Sequence, residues 1–162
     1  MSLSEILAEA SAQAMAAMPP EAVATLRKAI ADLEASGVGN DALKAGDILP
    51  DAVLTNPSGA EVRIRDLLAK GPLIVTFYRG SWCPYCNLEL RAYQDILSEI
   101  ETAGAQLVAV TPQKPDESLS TIEKNELKFA VLTDNGNALA RALGITFELS
   151  GDLRALYERF GL

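Results

Sequence analysis

The two cysteines of this 162-residue chain stand three positions apart, at Cys83 and Cys86, within the stretch FYRGSWCPYCNLELR. A cysteine reacts as its thiolate, and the first turn of a helix favours the thiolate because it offers unpaired N–H donors and the positive end of the helix dipole. Pro84 suits the first helical position, so Cys83 is the expected N-cap residue and Cys86 the third residue of the first turn. Both sulfurs should then lie in an electropositive zone, and the pair predicts a redox centre.

Two arginines and two aromatic residues flank the cysteine pair. Arg79 and Arg91 lie within a turn of the sulfurs, where either would stabilise a thiolate or orient a polar substrate; the alternative for each is a solvated surface arginine. Tyr85 and Trp82 are expected to line the mouth of the site, although packing against the helix terminus is the more ordinary role for Trp82.

Metal binding and simple burial are the other interpretations of the cysteine pair. A structural zinc site needs four donors, usually Cys or His, and this chain has two cysteines and no histidine. The lack of histidine also removes Cys–His catalysis and every histidine general base. Redox chemistry of a cysteine pair needs neither a metal nor a histidine, so we expect no metal and no cofactor.

The composition is that of a globular chain that buries a core, with 49% hydrophobic and 22% charged residues. A net charge of -8 repels nucleic-acid phosphates and anionic lipid headgroups, so we expect no nucleic-acid partner. No apolar run approaches the length of a membrane span, and Glu5 and Glu9 stand where a secretory signal needs cations. We therefore expect no membrane association and a cytoplasmic location.

The apolar pattern divides the chain into an N-terminal helical extension, residues 1–38, and a redox domain, residues 43–162. Apolar residues recur at helical spacing on both sides of Pro19 and Pro20, which predicts a helical hairpin over residues 3 to 36. The hairpin is interpreted as a docked extension or, alternatively, as a dimerisation arm. After it, apolar strands at 72–78, 105–111 and 129–133 alternate with helical patterns from Pro84 to Ala103 and near 118–127, behind a β-hairpin at 52–64.

This alternation predicts an α/β fold with a mainly parallel sheet flanked by helices. Three sequence blocks are distinctive: GDILPD (46 to 51), GPLIVTFYRGSWCPYCNLELR around the cysteines, and VLTDNGNALARALGI (131 to 145). Together they resemble the peroxiredoxins, specifically the alkyl hydroperoxide reductase and thiol-specific antioxidant family. The resemblance implies a thioredoxin-like fold of the peroxiredoxin type. It also implies a thiol peroxidase that reduces hydrogen peroxide or organic hydroperoxides and is recycled by thioredoxin or another thiol reductant.

The family pattern, laid on this chain without gaps, makes Cys86 the peroxidatic sulfur. Cys83 then occupies the position of the family threonine, Arg79 that of the family proline, and Glu89 matches a family glutamate. Thioredoxin-like proteins use the first cysteine of Trp-Cys-x-x-Cys instead, and both Trp82 before Cys83 and Pro84 inside the pair favour that assignment. We favour attack by Cys86 and condensation with Cys83, and the reverse assignment stays open.

The resembled family continues into an antiparallel strand pair, which also supplies an arginine to the cysteine. We expect this chain to lack that region, with a last helix capped by Ser150. The strand at 72–78 should then be an exposed apolar edge, so we expect a homodimer and a reduced activity. Two alternatives to the peroxidase stay open: a thioredoxin-like disulfide oxidoreductase, and a non-catalytic interaction module with vestigial thiols.

Overall fold

The computed structural model describes residues 1–162 and contains five strands and eight α-helices. The strands are β1 (Val53–Thr55), β2 (Glu61–Arg63), β3 (Leu73–Phe77), β4 (Gln106–Thr111) and β5 (Ala130–Thr133). The helices are α1 (Leu3–Ala17), α2 (Pro20–Ser36), α3 (Ile64–Leu68), α4 (Pro84–Asp95), α5 (Leu97–Thr102), α6 (Pro115–Asn125), α7 (Ala138–Ala142) and α8 (Gly151–Arg159). None of them combines the length and the apolar character needed to cross a membrane.

The strands form one sheet in the order β2-β1-β5-β4-β3. Strands β3, β4 and β5 run parallel, while β1 pairs antiparallel with both β2 and β5. The predicted α/β fold is confirmed, but the sheet is mixed rather than mainly parallel because the β1-β2 hairpin joins it at β5. The β3 strand is an edge of the sheet, as the family resemblance implies for a chain without the later strand pair.

The core lies on both faces of the sheet, because alternate residues of β4 point to opposite sides. Leu107 and Ala109 belong to the cluster that also holds Cys83 and Cys86. Val108 and Val110 belong to a second cluster, which includes residues of α3 and α7. The cysteine pair is therefore seated on the hydrophobic core.

The helix predicted from Pro84 to Ala103 is two helices, α4 and α5, which meet at Ile96. The backbone of Ile96 has φ -103° and ψ 7°, which is not helical. The break turns Leu97 into the core while Ile96 stays 43% exposed. An unbroken apolar pattern does not reveal such a turn.

The N-terminal helices pack on the rest of the chain at two places. Helix α1 contacts α4, and α2 contacts α8. Ala22 and Ala29 of α2 form a buried cluster with Leu153 and Leu156 of α8. Both predicted N-terminal helices are thus present, and each lies against a helix of the sheet-containing part.

Candidate active site

The cysteine pair lies at the start of α4, directly after the loop that follows edge strand β3. Cys83 is the N-cap residue and Pro84 the first helical residue, as predicted. The backbone N–H of Cys83 donates to the carbonyl of Gly80 (3.1 Å), which closes a tight turn before the helix. The helix terminus therefore presents its free N–H groups beside the sulfurs.

The turn depends on a close approach at Gly80. A Cβ atom at this position would lie 2.6 Å from Nε1 of Trp82 and 2.8 Å from Cδ of Gln113. The Gln113 side chain accepts a hydrogen bond from the N–H of Ser81 (2.7 Å) and so ties the turn to the segment that follows β4. A larger residue than glycine would push these groups apart.

The sulfur of Cys83 accepts hydrogen bonds from two nitrogen atoms. The backbone N–H of Cys86 donates to it at 3.3 Å, and Nη2 of Arg79 donates at 3.3 Å. Cys83 is only 1% exposed, and Cys86 is 9% exposed. A buried sulfur with N–H and guanidinium donors is arranged to carry a negative charge.

The two thiols differ in acidity. The pKa of Cys83 is lowered from 9.0 to about 5, chiefly because the Cys86 side chain donates a hydrogen bond to it; burial opposes this, and the Cys86 N–H and Arg79 add to it. The pKa of Cys86 is raised because its thiol proton is held by Cys83 and because it is buried. The prediction that both thiols are acidified is therefore wrong for Cys86. Of the two thiols, that of Cys83 is therefore the more acidic.

Arg79 is held over Cys83 by two aromatic side chains. Its Nη1 donates to the hydroxyl oxygen of Tyr157 on α8 (2.9 Å), and its guanidinium carbon lies 4.7 Å from the centre of the Trp82 ring. The rings of Trp82 and Tyr157 meet edge to face with centroids 6.2 Å apart. Cation–π contacts of this kind favour a fixed guanidinium position. Tyr157 was not among the candidates from the sequence.

A second group that the sequence did not reveal is a buried amide pair. Nδ2 of Asn87 donates to the carbonyls of Ser81 and Cys83 (both 2.9 Å), and its Oδ1 accepts from Nδ2 of Asn125 (2.7 Å). Asn87 and Asn125 are each 5% exposed. These hydrogen bonds attach the turn that contains Cys83 to helix α4 and, through Asn125, to helix α6.

The other residues predicted from the sequence, Tyr85, Arg91 and Glu89, do not bond either cysteine sulfur. Tyr85 is half-buried and packs against the cysteine cluster. Arg91 donates through Nε to Oδ1 of Asn125 (2.8 Å) and so faces α6. Glu89 is half-buried on α4. The groups that perturb the two thiols are each other and Arg79, not Arg91 or Glu89.

No group of three or more His, Cys, Asp or Glu side chains that would hold a metal ion is present. The fold and the site together define a thioredoxin-like protein with a dithiol at the start of a helix that follows a sheet strand. Residues 45–158, well over half of the chain, match the AhpC/TSA family, and the chain belongs to that family. The predicted resemblance is thereby confirmed.

The curated relatives that the chain resembles are peroxiredoxins. It is 29% identical over 108 residues to peroxiredoxin Bcp of Escherichia coli, covering 67% of this chain and 69% of that protein. It is 27% identical over 108 residues to the chloroplastic peroxiredoxin Q of Gentiana triflora, covering 67% of this chain but 49% of that protein. The matched segment thus spans about half to two thirds of these relatives, and their names agree with the predicted thiol peroxidase function.

A solved structure similar to the chain is that of peroxidoxin BcpB from Mycobacterium tuberculosis. It aligns with a TM-score of 0.63 at 25% identity and covers 67% of this chain and 71% of that one. This likeness confirms the predicted thioredoxin-like, peroxiredoxin-type fold.

Proposed function

We propose that the chain is a thiol peroxidase in which Cys83 attacks a hydroperoxide and Cys86 resolves the product. The observation that carries the proposal is the Cys83 sulfur at the N-terminus of α4, with the Arg79 guanidinium and the Cys86 N–H both at 3.3 Å. Both donors stabilise the thiolate that the reaction needs.

The first step oxidises Cys83. Its thiolate forms a sulfur–oxygen bond to the terminal peroxide oxygen, and the oxygen–oxygen bond breaks. The sulfur becomes a sulfenic acid, and the leaving alkoxide or hydroxide takes a proton from solvent to become an alcohol or water. Because Cys83 is only 1% exposed, the peroxide reaches its sulfur only when the side chains that cover it make room.

The second step forms a disulfide. The Cys86 thiol attacks the Cys83 sulfenic acid, the sulfur–sulfur bond forms, and the sulfur–oxygen bond breaks. The departing hydroxyl takes the Cys86 proton and leaves as water. A dithiol donor, thioredoxin or another thiol reductant, then reduces the disulfide by exchange and is itself oxidised. Such a donor suits the cytoplasmic location, which stays a prediction.

This order of attack is the reverse of the one that the sequence favours. Alignment with the family pattern places the peroxidatic sulfur at Cys86, whereas the raised pKa of Cys86 and the lowered pKa of Cys83 support Cys83 as the nucleophile. Arg79 acts as the thiolate-stabilising cation. Neither Arg91 nor Glu89 has a part in the proposed reaction.

Mass spectrometry after one equivalent of hydrogen peroxide tests the assignment. In Cys86→Ser we expect one added oxygen on Cys83, and in the wild type an intramolecular disulfide. In Cys83→Ser we expect oxidation no faster than that of a free thiol. Rapid addition of oxygen to Cys86 in Cys83→Ser, with none in Cys86→Ser, would refute this assignment and support Cys86 as the attacking sulfur, where the family pattern places it.

A thioredoxin-like disulfide oxidoreductase is the second candidate, and one observation favours it. An acidic first cysteine next to a neutral second cysteine is the arrangement that disulfide exchange uses. Stopped-flow oxidation by hydrogen peroxide separates the two: it should greatly exceed the free-thiol rate in a peroxidase, while an exchange enzyme should match that rate and reduce insulin disulfides. The lowered pKa of Cys83 argues against vestigial thiols.

We also propose that the chain forms a homodimer through β3. This edge strand leaves backbone N–H and C=O groups unpaired, and Ile74 on it is 37% exposed. Ile74→Lys should shift the protein toward the monomer in light scattering at micromolar concentration. The matched change Leu119→Lys, on α6 and 47% exposed, should leave the dimer intact. A monomeric wild type at that concentration would refute the proposal.

A further inference from the structure

A polar cleft of about 370 Å³ lies between helix α4 and the segment that follows α6, and neither cysteine lines it. All of its lining residues are polar and four of them are charged; they are Arg91, Gln94, Asp95, Asn125, Glu126 and Lys128. Small-molecule sites typically enclose about 300–1,000 Å³. A ligand that fits this cleft is therefore small, polar and charged.

Two hydrogen bonds hold the two sides of the cleft together. Nε of Arg91 donates to Oδ1 of Asn125 (2.8 Å), and the backbone N–H of Lys128 donates to Oε1 of Gln94 (2.7 Å). Asn125 is buried and is itself fixed, because its Nδ2 donates to Oδ1 of Asn87. The cleft is thus formed in advance of any ligand.

The four charged side chains of the cleft make no ion pair with one another. The ion pairs of the chain lie elsewhere and involve Lys28 and Arg65. The two Nη atoms of Arg91 have no acceptor in the protein, because this side chain bonds Asn125 through Nε alone. Two cations and two carboxylates therefore line one cleft with their hydrogen-bonding capacity free for a ligand.

Glu126 is unfavourable for the fold at its own position. It ends α6 with φ 51° and ψ 39°, the left-handed conformation that favours glycine. Its carboxylate also stands at the C-terminal end of a helix, where the dipole disfavours negative charge. A residue that opposes local stability in two ways is typical of a functional position.

We propose that this cleft binds a small zwitterion, namely a free α-amino acid with a polar side chain. The ligand carboxylate accepts hydrogen bonds from Arg91 and Lys128, and its ammonium group donates to Asp95 and Glu126. A polar side chain suits a cleft without apolar lining residues. A zwitterion also carries no net charge, so the net charge of -8 on the chain does not repel it. This site does not depend on the proposed peroxidase function.

Titration with L-glutamine tests both ends of the ligand. The side-chain amide signals of Gln94 and Asn125 in NMR spectra should shift saturably, with a Kd on the order of 1–10 mM because exposed ion pairs each contribute little. N-acetyl-L-glutamine lacks the ammonium group and L-glutaminamide lacks the carboxylate, so each should bind roughly two- to fivefold more weakly. An analogue that binds as well as L-glutamine would overturn the zwitterion site, as would the absence of saturation by about 50 mM.

Variants of the lining residues separate binding from folding. Glu126→Gly removes a carboxylate and relieves the left-handed strain, so it should weaken L-glutamine binding roughly two- to fivefold and raise the urea midpoint of unfolding. Glu123→Gln, at an exposed glutamate of α6 outside the cleft, should keep the wild-type affinity. Wild-type affinity in Glu126→Gly would refute the site.

Lys128→Gln assigns the carboxylate end of the ligand. It should weaken binding of L-glutamine by a similar factor but leave that of L-glutaminamide unchanged, because the amide has no carboxylate for Lys128 to bind. An equal loss of affinity for both ligands would contradict the proposed orientation. None of these measurements requires a reaction with peroxide, so their outcome is independent of the peroxidase assignment.

Discussion

Replacement of Arg79 by methionine removes the guanidinium that donates to the Cys83 sulfur at 3.3 Å while keeping a long side chain against Trp82. A hydrogen bond to a charged group contributes about 1.5–3 kcal/mol, and solvent screening of the exposed Arg79 reduces this to about 1–1.5 kcal/mol. Since a pKa change of one corresponds to about 1.4 kcal/mol, the pKa of Cys83 should rise from about 5 to about 6. The Cys86 donors remain and keep the thiol more acidic than usual.

The change is best seen in the alkylation rate at acidic pH. At pH 5 the thiolate fraction of Cys83 should fall from about one half to about one tenth, which slows alkylation by iodoacetamide about fivefold. The measurement belongs in a Cys86→Ser background, where one thiol titrates and the serine hydroxyl still donates. Low protein concentration is needed because the pI is about 4.6.

Arg91→Met is the matched control. Arg91 is also near the cysteines in sequence but bonds Asn125. Its replacement should leave the pKa of Cys83 unchanged. An Arg79→Met titration that superimposes on that of Arg91→Met would show that the guanidinium does not stabilise the thiolate, and the assignment of Arg79 would fail.

Three further predictions concern the surroundings of the sulfur. Tyr157→Phe frees Arg79, so peroxide oxidation should slow roughly two- to fivefold as for one lost hydrogen bond, whereas Tyr93→Phe should not slow it. Asn87→Ala removes the side-chain donor to the Ser81 carbonyl and the acceptor of Asn125 Nδ2, and should lower the free energy of unfolding in urea by about 2–4 kcal/mol, while Asn135→Ala should change it by less than about 0.5 kcal/mol. Because the folded pKa of Cys83 lies below the ordinary 9.0, its stabilisation is complete above pH 9.0 and declines as the pH falls toward about 5. The stability difference between reduced wild type and Cys83→Ser should therefore grow with pH across that window; a constant difference would contradict the pKa.

Most of the strands and the helix start that position the site were predictable, because the sequence patterns that indicate them are local. Pro84 next to Cys83 identifies the helix start, and the apolar runs with their turns identify β3, β4 and β5. The edge position of β3 followed from the family resemblance. These features depend on neighbouring residues or on a known topology.

The contacts that hold Arg79 and the cysteine turn in place were not predictable because their partners are distant in the chain. Arg79 meets Tyr157 across 78 positions, and Asn87 meets Asn125 across 38. A helix terminus alone would favour the thiolate at both cysteines. The difference between Cys83 and Cys86 arises from the hydrogen bond between them, which only the side-chain geometry reveals.

The packing of α2 on α8 connects the N-terminal helices to the cysteine site through the side chains of α8. Leu153 and Leu156 anchor α8 to α2, and one residue later Tyr157 holds Arg79. A shortened chain that begins at residue 43 would leave both leucines facing water and loosen the tyrosine. Removal of α1 and α2 to simplify expression would therefore also disturb the contact between Arg79 and Cys83, and activities measured on such a fragment would understate those of the 162-residue chain.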